Sequence, residues 1–329
     1  MVKPNLLMKA LPDKAVTIHP VYLEALATNI MNRGCEVVIA ESSGGPYNQT
    51  YMNIIYKSTG ISEVAKNTGA KLNTDFSHYE LNVPEGVVCK MFDVITPVKD
   101  ADIIVSAAKL KTHTLTYYSG AVKNMMGVIP GLTKPKMHLR YQDENSFCNM
   151  LIDLNVGIKP DICFIDGITG MEGNGPSGGT PRHSQVSICS LNPYNADVIG
   201  AKLLGYEKDD VTLLRLAKER DLCDDIKAIQ VCGDDIELLI QNFTKPDTFN
   251  NTKIFKTFVP KGLARPLRNL ITKKPKVNTK ICVGCGECAM SCPSETIAIA
   301  NKKAVINYKK CIRCYCCSEF CPIKAIYFN

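Results

Sequence analysis

The sequence predicts an α/β fold, a mostly parallel sheet covered by helices, with a small cysteine-rich α+β module after it. Three observations carry the prediction. Runs with apolar centres, Cys35 to Ala40, Asp102 to Ser106 and Pro160 to Asp166, read as strands buried on both faces, as parallel sheets require. Segments with apolar residues at helical spacing alternate with those runs, the order of helices laid on a sheet. Residues 277–329 then hold nine of the 16 cysteines, in two strings of equal spacing.

In chain order, Pro4 to Leu7 reads as the end of a first strand, to which Met1 to Lys3 adds only a short start. His19-Pro20 opens a helix over Val21 to Asn32, with Leu23, Leu26, Ala27 and Ile30 on one face and Gly34 as its stop. Cys35 to Ala40 follows as a strand. Glu41-Ser-Ser-Gly-Gly45 is either an ordinary turn or a polar loop at the strand's carboxyl end, where open α/β sheets put ligands. Tyr51 to Thr68 is predicted helical, and Ala70 to Asp75, Val87 to Met91, Asp102 to Ser106 and Pro160 to Asp166 are predicted strands. Ala196 to Leu204 and Val211 to Glu219 are predicted helices. Pro260 to Pro275, with three prolines and no period, reads as linker. The expected domains are therefore 1–250, a basic linker 251–276, and 277–329.

Cys282, Cys285, Cys288 and Cys292, followed by Pro293, map onto Cys311, Cys314, Cys317 and Cys321, followed by Pro322, by a shift of 29. Each string reads Cys-x2-Cys-x2-Cys-x3-Cys-Pro. A short loop aims three thiolates at one cubane, while the fourth, beyond a helical turn, reaches the other. That spacing makes residues 277–329 resemble the two-cluster bacterial ferredoxins. It predicts two [4Fe-4S] clusters, the first on Cys282, Cys285, Cys288 and Cys321, the second on Cys311, Cys314, Cys317 and Cys292. A zinc module also uses Cys-x2-Cys pairs, but gives no reason for the Cys-Pro ends or for the duplication. Cys316 breaks the pattern; it either replaces Cys317 as a ligand or, as the spacing from Cys314 favours, stands as a free thiol near the cluster.

No run of 18 apolar residues occurs, so no membrane span is predicted, and Met1 to Ala10 lacks the order of a signal peptide. The seven remaining cysteines, Cys35, Cys89, Cys148, Cys163, Cys189, Cys223 and Cys232, are scattered singly and read as buried thiols of a cytoplasmic, anaerobic protein. The net charge of +7 is local. Between Asp247 and Glu287 there is no acid and there are nine bases: Lys253, Lys256, Lys261, Arg265, Arg268, Lys273, Lys274, Lys276 and Lys280. Without them 30 bases face 32 acids, a net of −2. The segment has few aromatics and no nucleic-acid fold signature, so nucleic acid is not the expected partner. It reads as a linker on the protein's own acidic surface, or as a docking strip for an acidic redox partner protein.

Two stretches are candidates for chemistry. Lys109, Lys111, His113, Lys123 and Asn124 fall within sixteen residues after a predicted strand. Lysines and a histidine converging at a strand's carboxyl end make a site for a small anionic substrate, with His113 able to give a proton near neutrality; the bland alternative is a solvated loop with a capping His. The second runs from Asp166 to Arg182, with six glycines in residues 167–179, and Asp166 and Glu172 as acid–base groups or cation ligands. It is neither a Walker loop nor a dinucleotide fingerprint, and the chain carries no flavin or nicotinamide motif. Pro4-Asn5-Leu6, Lys109-Leu-Lys-Thr-His113, Gly120-Ala-Val-Lys-Asn124 and Asp166-Gly-Ile-Thr-Gly-Met-Glu-Gly173 together resemble the family called domain of unknown function 362 over about residues 1–245, often fused to a two-cluster ferredoxin. Against that family, this chain begins partway into the usual first strand.

The fusion carries the functional expectation. A tether holds an electron donor at an effective concentration on the order of millimolar, useful where electrons enter or leave the first domain. The leading expectation is a ferredoxin-dependent reductase; the alternatives are an electron carrier, or a redox sensor, docked to a partner enzyme.

Overall fold

The computed structural model describes residues 1–207, 209–249 and 272–328. Most of the expected linker, with Lys253, Lys256, Lys261, Arg265 and Arg268, lies outside the described residues. In chain order the strands are β1 (Val2–Pro4), β2 (Val38–Ile39), β3 (Lys71–Leu72), a separate antiparallel hairpin of β4 (His78–Asn82) and β5 (Met91–Ile95), then β6 (Val105–His113), β7 (Tyr117–Ser119), β8 (Ile162–Glu172) and β9 (Thr180–Ser190). The main sheet has the order β3-β2-β1-β6-β8-β9, with β7 folded back on β6. Neighbours from β3 to β8 pair parallel, while β9 and β7 pair antiparallel with β8 and β6.

The helices are α1 (Pro20–Met31), α2 (Gln49–Ser58), α3 (Ile61–Thr68), α4 (Ala121–Asn124), α5 (Lys134–Arg140), α6 (Glu144–Ile158), α7 (Pro193–Leu203), α8 (Thr212–Glu219) and α9 (Ile236–Leu239). Alternation along β6 explains why the sheet is covered twice. Val105 and Ala107 join Leu23, Leu26, Ile61 and Val64 of α1 and α3 on one face. Ala108 and Leu110 join Phe147, Leu151 and Leu154 of α6 on the other.

Several expected elements shift, each for a physical reason. The first strand ends at Pro4, because the Asn5 amide makes the last bond of the β1–β6 ladder, to the Ala107 carbonyl, and the Asn5 carbonyl then takes the amide of Ile18 instead of a β6 amide. The helix expected over 51–68 is two, divided at Gly60, whose φ of 80° no helix accepts. Val87 to Met91 is not a strand: the amides of Val87, Val88 and Cys89 converge at 2.8–2.9 Å on the Asp153 carboxylate, so strand pairing begins only at Met91. Lys109 to His113 lies inside β6 rather than after it, and every residue of that strand is buried. Asp166 to Arg182 is largely a hairpin of β8 and β9 around a turn at 173–179, not an irregular loop. Of the seven scattered cysteines, Cys89, Cys148 and Cys163 are buried, but Cys35, Cys189 and Cys232 are exposed.

The C-terminal module starts with β10 (Pro275–Val277), inside the expected linker, paired antiparallel with β13 (Ile326–Phe328). Between them lie α10 (Glu287–Met290), a hairpin of β11 (Ile297–Ala300) and β12 (Lys303–Ile306), and α11 (Cys316–Glu319). The duplication is visible in the backbone. Gly284 and Gly286 have φ of 68° and 87°, and Arg313 and Tyr315, each 29 residues on, take the same left-handed turns at 55° and 66°. The cysteine loops need that conformation whichever residue stands there.

Candidate functional site

From β1 the chain steps to β2 and β3 on one side, whereas from β6 it steps to β8 and β9 on the other. The boundary between β1 and β6 is a topological switch point, and the crevice beyond its carboxyl ends is where open α/β sheets bind ligands. Lys3 of β1, Lys109, Lys111 and His113 of β6, the Glu41–Gly45 loop after β2, and α4 and α5 all meet there.

Two of the lysines are neutralised in place. Lys3 pairs with Glu41 at 2.6 Å and donates to Asn124 Oδ1 at 2.7 Å and to the Asn124 carbonyl. Lys109 pairs with Asp166 at 2.7 Å, and Asp166 also accepts from the amides of His19 (2.9 Å) and Ile168 (3.2 Å). Both pairs are almost wholly buried, and desolvation pulls both lysines below their ordinary pKa. Glu172 lies elsewhere, holding Arg182 at 3.0 Å and the Thr244 amide at 2.9 Å. Lys109, Asn124, Asp166 and Glu172 are therefore committed within the fold, and of the expected set Lys111, His113 and Lys123 keep free capacity.

Three ammonium groups at the crevice, Lys111, Lys123 and Lys134, have no carboxylate at ion-pair distance among the described residues. Lys111 is buried and donates to Asn5 Oδ1 and the Val16 carbonyl, both at 2.8 Å. Lys134 of α5 donates to the carbonyls of Ser42 and Ser43. Lys123 of α4 makes no hydrogen bond to any described residue. Burial pushes Lys111 and Lys134 down to about 7 and lowers Lys123; Lys123 adds to the fall at Lys111, whereas Glu41 opposes it at Lys134 and Glu319 opposes it at Lys123. Nδ1 of His113 accepts from the Leu115 amide at 3.0 Å, so the neutral ring carries its proton on Nε2, which is buried and unpartnered. Burial, then Lys123 and Lys111, hold His113 well below its ordinary pKa, so the ring rests neutral and is not the near-neutral acid the sequence led us to expect. Nδ1 of His138, whose ring stacks on Phe147 at 4.4 Å, and Oγ of Ser42 are also buried and unpartnered.

The C-terminal module closes over this crevice. The ring of Phe320 occupies the space a Cβ on Gly44 would need. Ser177, in the turn between β8 and β9, donates to the Glu319 carbonyl at 2.5 Å and accepts from Lys324 at 2.9 Å. The Glu319 carboxylate acts electrostatically on Lys111, Lys123 and Lys134 without forming an ion pair with any of them. Lys134, His138 and Glu319 had no signal in the sequence. The first two are four residues apart on a short helix that lacks apolar periodicity, and Glu319 matters only through a contact across the chain.

Inside the module the thiols ring two hollows. Cys282, Cys285, Cys288 and Cys321 line the first with Val283, Ile299 and Ile323. Cys292, Cys311, Cys314 and Cys317 line the second with Ile297, Ile306 and Tyr315. Backbone amides point at the sulfurs: Ala325 to Cys321 at 3.2 Å, Thr296 to Cys292 at 3.4 Å and Ala304 to Cys282 at 3.5 Å. Cys316 is buried and lines neither hollow. Four thiols around an apolar hollow, with amides aimed at sulfur, fit an iron–sulfur cluster.

A family model described as a domain of unknown function, DUF362, matches residues 1–202. The chain belongs to the DUF362 family. In this DUF362 chain a 4Fe-4S dicluster domain matches residues 274–322, which identifies the C-terminal module as an iron–sulfur domain. The thylakoid-associated protein sll1697 of Synechocystis is 27% identical over 232 residues, 68% of this chain and 67% of that protein. The lactate racemase apoprotein of Thermoanaerobacterium thermosaccharolyticum superposes with a TM-score of 0.42 at 11% identity. That match covers 60% of this chain and about half, 47%, of the racemase.

Proposed function

We propose that this protein is an iron–sulfur electron-transfer protein that reduces a small anionic substrate in the crevice between β1 and β6. Cys282, Cys285, Cys288 and Cys321 hold one [4Fe-4S] cluster, and Cys311, Cys314, Cys317 and Cys292 the other. When bound, the clusters supply electrons singly, two together matching a two-electron reduction without a flavin. The chain does the rest. Lys111, Lys123 and the Nε2–H of His113 bind and orient the anion, and an ammonium near its pKa at neutrality, as in Lys111, gives a proton. Phe320 and Glu319 keep water out while the module is seated. A redox partner protein recharges the clusters, and an anaerobic cytoplasm is the setting in which exposed cubanes and free thiols persist.

The observation that supports this reading is the seating of Phe320, one residue before Cys321, on Gly44 of the loop after β2, with Glu319 of α11 acting electrostatically on Lys111, Lys123 and Lys134. The test is anaerobic iron and sulfide analysis with EPR after dithionite, followed by reoxidation of the reduced protein with small anions. About eight irons, two coupled reduced cubanes, and reoxidation by one class of anion support it; a zinc-bound protein silent in EPR sinks it. The second reading, a carrier docked to a partner enzyme, is favoured by the close seal of Phe320 on Gly44. It requires Lys111→Met and Lys123→Met variants to deliver electrons to a partner undiminished.

A further inference from the structure

We infer that the crevice binds a small dianion, a phosphate or a dicarboxylate, and that Lys134 and His138 of α5 belong to its binding set with Lys111, Lys123 and His113. This rests on the reading above of the crevice as the substrate site. The fold itself supplies the contrast that carries it. Lys3 and Lys109, on the same two strands, each have a buried carboxylate within 2.7 Å. Among the described residues Lys111, Lys123 and Lys134 have none: Lys111 and Lys134 donate to carbonyl or amide oxygens, and Lys123 makes no hydrogen bond. A buried charge without a counter-ion is costly, and a fold that neutralises two neighbours leaves three open where the partner comes from outside.

Charge sets the class. With Glu41 balanced by Lys3, three ammonium groups face one further carboxylate, Glu319, which no ion pair holds among the described residues, so the crevice has an excess of two positive charges when all three are protonated. One dianion balances it. Hydrogen bonding agrees. Nε2 of His113 is a buried donor with no acceptor, Ser42 Oγ a buried hydroxyl with none, and His138 Nδ1 a buried ring nitrogen with none. Ammonium groups and N–H donors with spare capacity call for an acceptor-rich oxyanion. Lys134 and His138 stand one turn apart on α5, and Lys134 reaches the Ser42 and Ser43 carbonyls of the loop after β2, so a bound dianion is held from α5 as well as from β6.

The experiment is equilibrium binding to the full-length holoprotein, anaerobic, clusters oxidised and no electron donor present. Inorganic phosphate, malonate and acetate are titrated separately at constant ionic strength. Phosphate or malonate should bind at least about tenfold more tightly than acetate, the tighter of the two naming the source. Lys134→Gln should weaken that binding about tenfold and Lys134→Arg should restore most of it, with Lys66→Gln, on the exposed face of α3, as the unaffected control. Iron content and circular dichroism confirm that each variant folds. Acetate binding as well as both dianions, or a folded Lys134→Gln with unchanged affinity, overturns the inference. Dianion binding with no anion able to reoxidise the reduced clusters leaves the inference standing and removes the reductase reading instead.

Discussion

The ring of Phe320 lies over the α-carbon of Gly44, the iron–sulfur module meeting the sheet domain at a residue without a side chain. Gly44 sits in the loop after β2 and its amide donates to the Leu7 carbonyl at 3.1 Å, so the loop cannot retreat freely. Gly44→Val should lift the module from the crevice. Small-angle scattering should show a larger radius of gyration, and iron content should stay unchanged. An unaltered radius would mean that the ring finds another seat.

The Lys109–Asp166 pair predicts an asymmetric response. Asp166→Ala leaves an ammonium buried without a partner and should cost about 3–5 kcal/mol in urea unfolding. Lys109→Met with Asp166→Leu removes both charges and should recover much of that loss. If the single and double variants are equally unstable, the damage comes from the lost His19 and Ile168 amide contacts rather than from the bare charge.

Lys111 gives a pH dependence. Its folded pKa, about 7, lies below the ordinary lysine value, so between pH 7 and that value the unfolded chain binds the extra proton. Stability therefore rises with pH across that window, and below pH 7 the cost of charging Lys111 is fully present. The charged groups facing it are Lys123, Glu319, Lys109 and Lys3. Urea titrations from pH 7 to 9 should show a shallower slope in Lys111→Met, by up to one proton. Lys134, also at about 7, keeps part of the slope in that variant.

Crossed ligation predicts that Cys321→Ala disturbs the hollow of the first cysteine string although it lies in the second. About half of the iron should be lost, and the remaining EPR signal should be that of an isolated reduced cubane. Cys316→Ala should keep all the iron, since that thiol lines neither hollow.

What the sequence disclosed follows the range of the interactions. α1, α7 and α8 announced themselves because their packing faces are periodic over a dozen residues or fewer, and the two cysteine hollows because ligand spacing is local. β6 was harder. Lys109, Lys111 and His113 alternate with Leu110 and Thr112 as a strand should, but cations on one face disguise a buried strand as a solvated loop. Their burial rests on Asp166, Asn5 and Val16, far away in sequence. The segment Val87 to Cys89 failed likewise, since its apolar residues say strand while its amides answer to Asp153 on α6. Glu319, Lys134 and His138 carry no local mark at all.

The pairing of β10 with β13 sets the first and last strands of the iron–sulfur module side by side. A unit whose two ends leave at one spot is a cassette: it can be joined to or taken from another fold through one connection, without threading a second chain. Such a part can be exchanged among hosts while its wiring stays the same, and only the patch around Phe320 and Glu319 has to be refitted to each new socket.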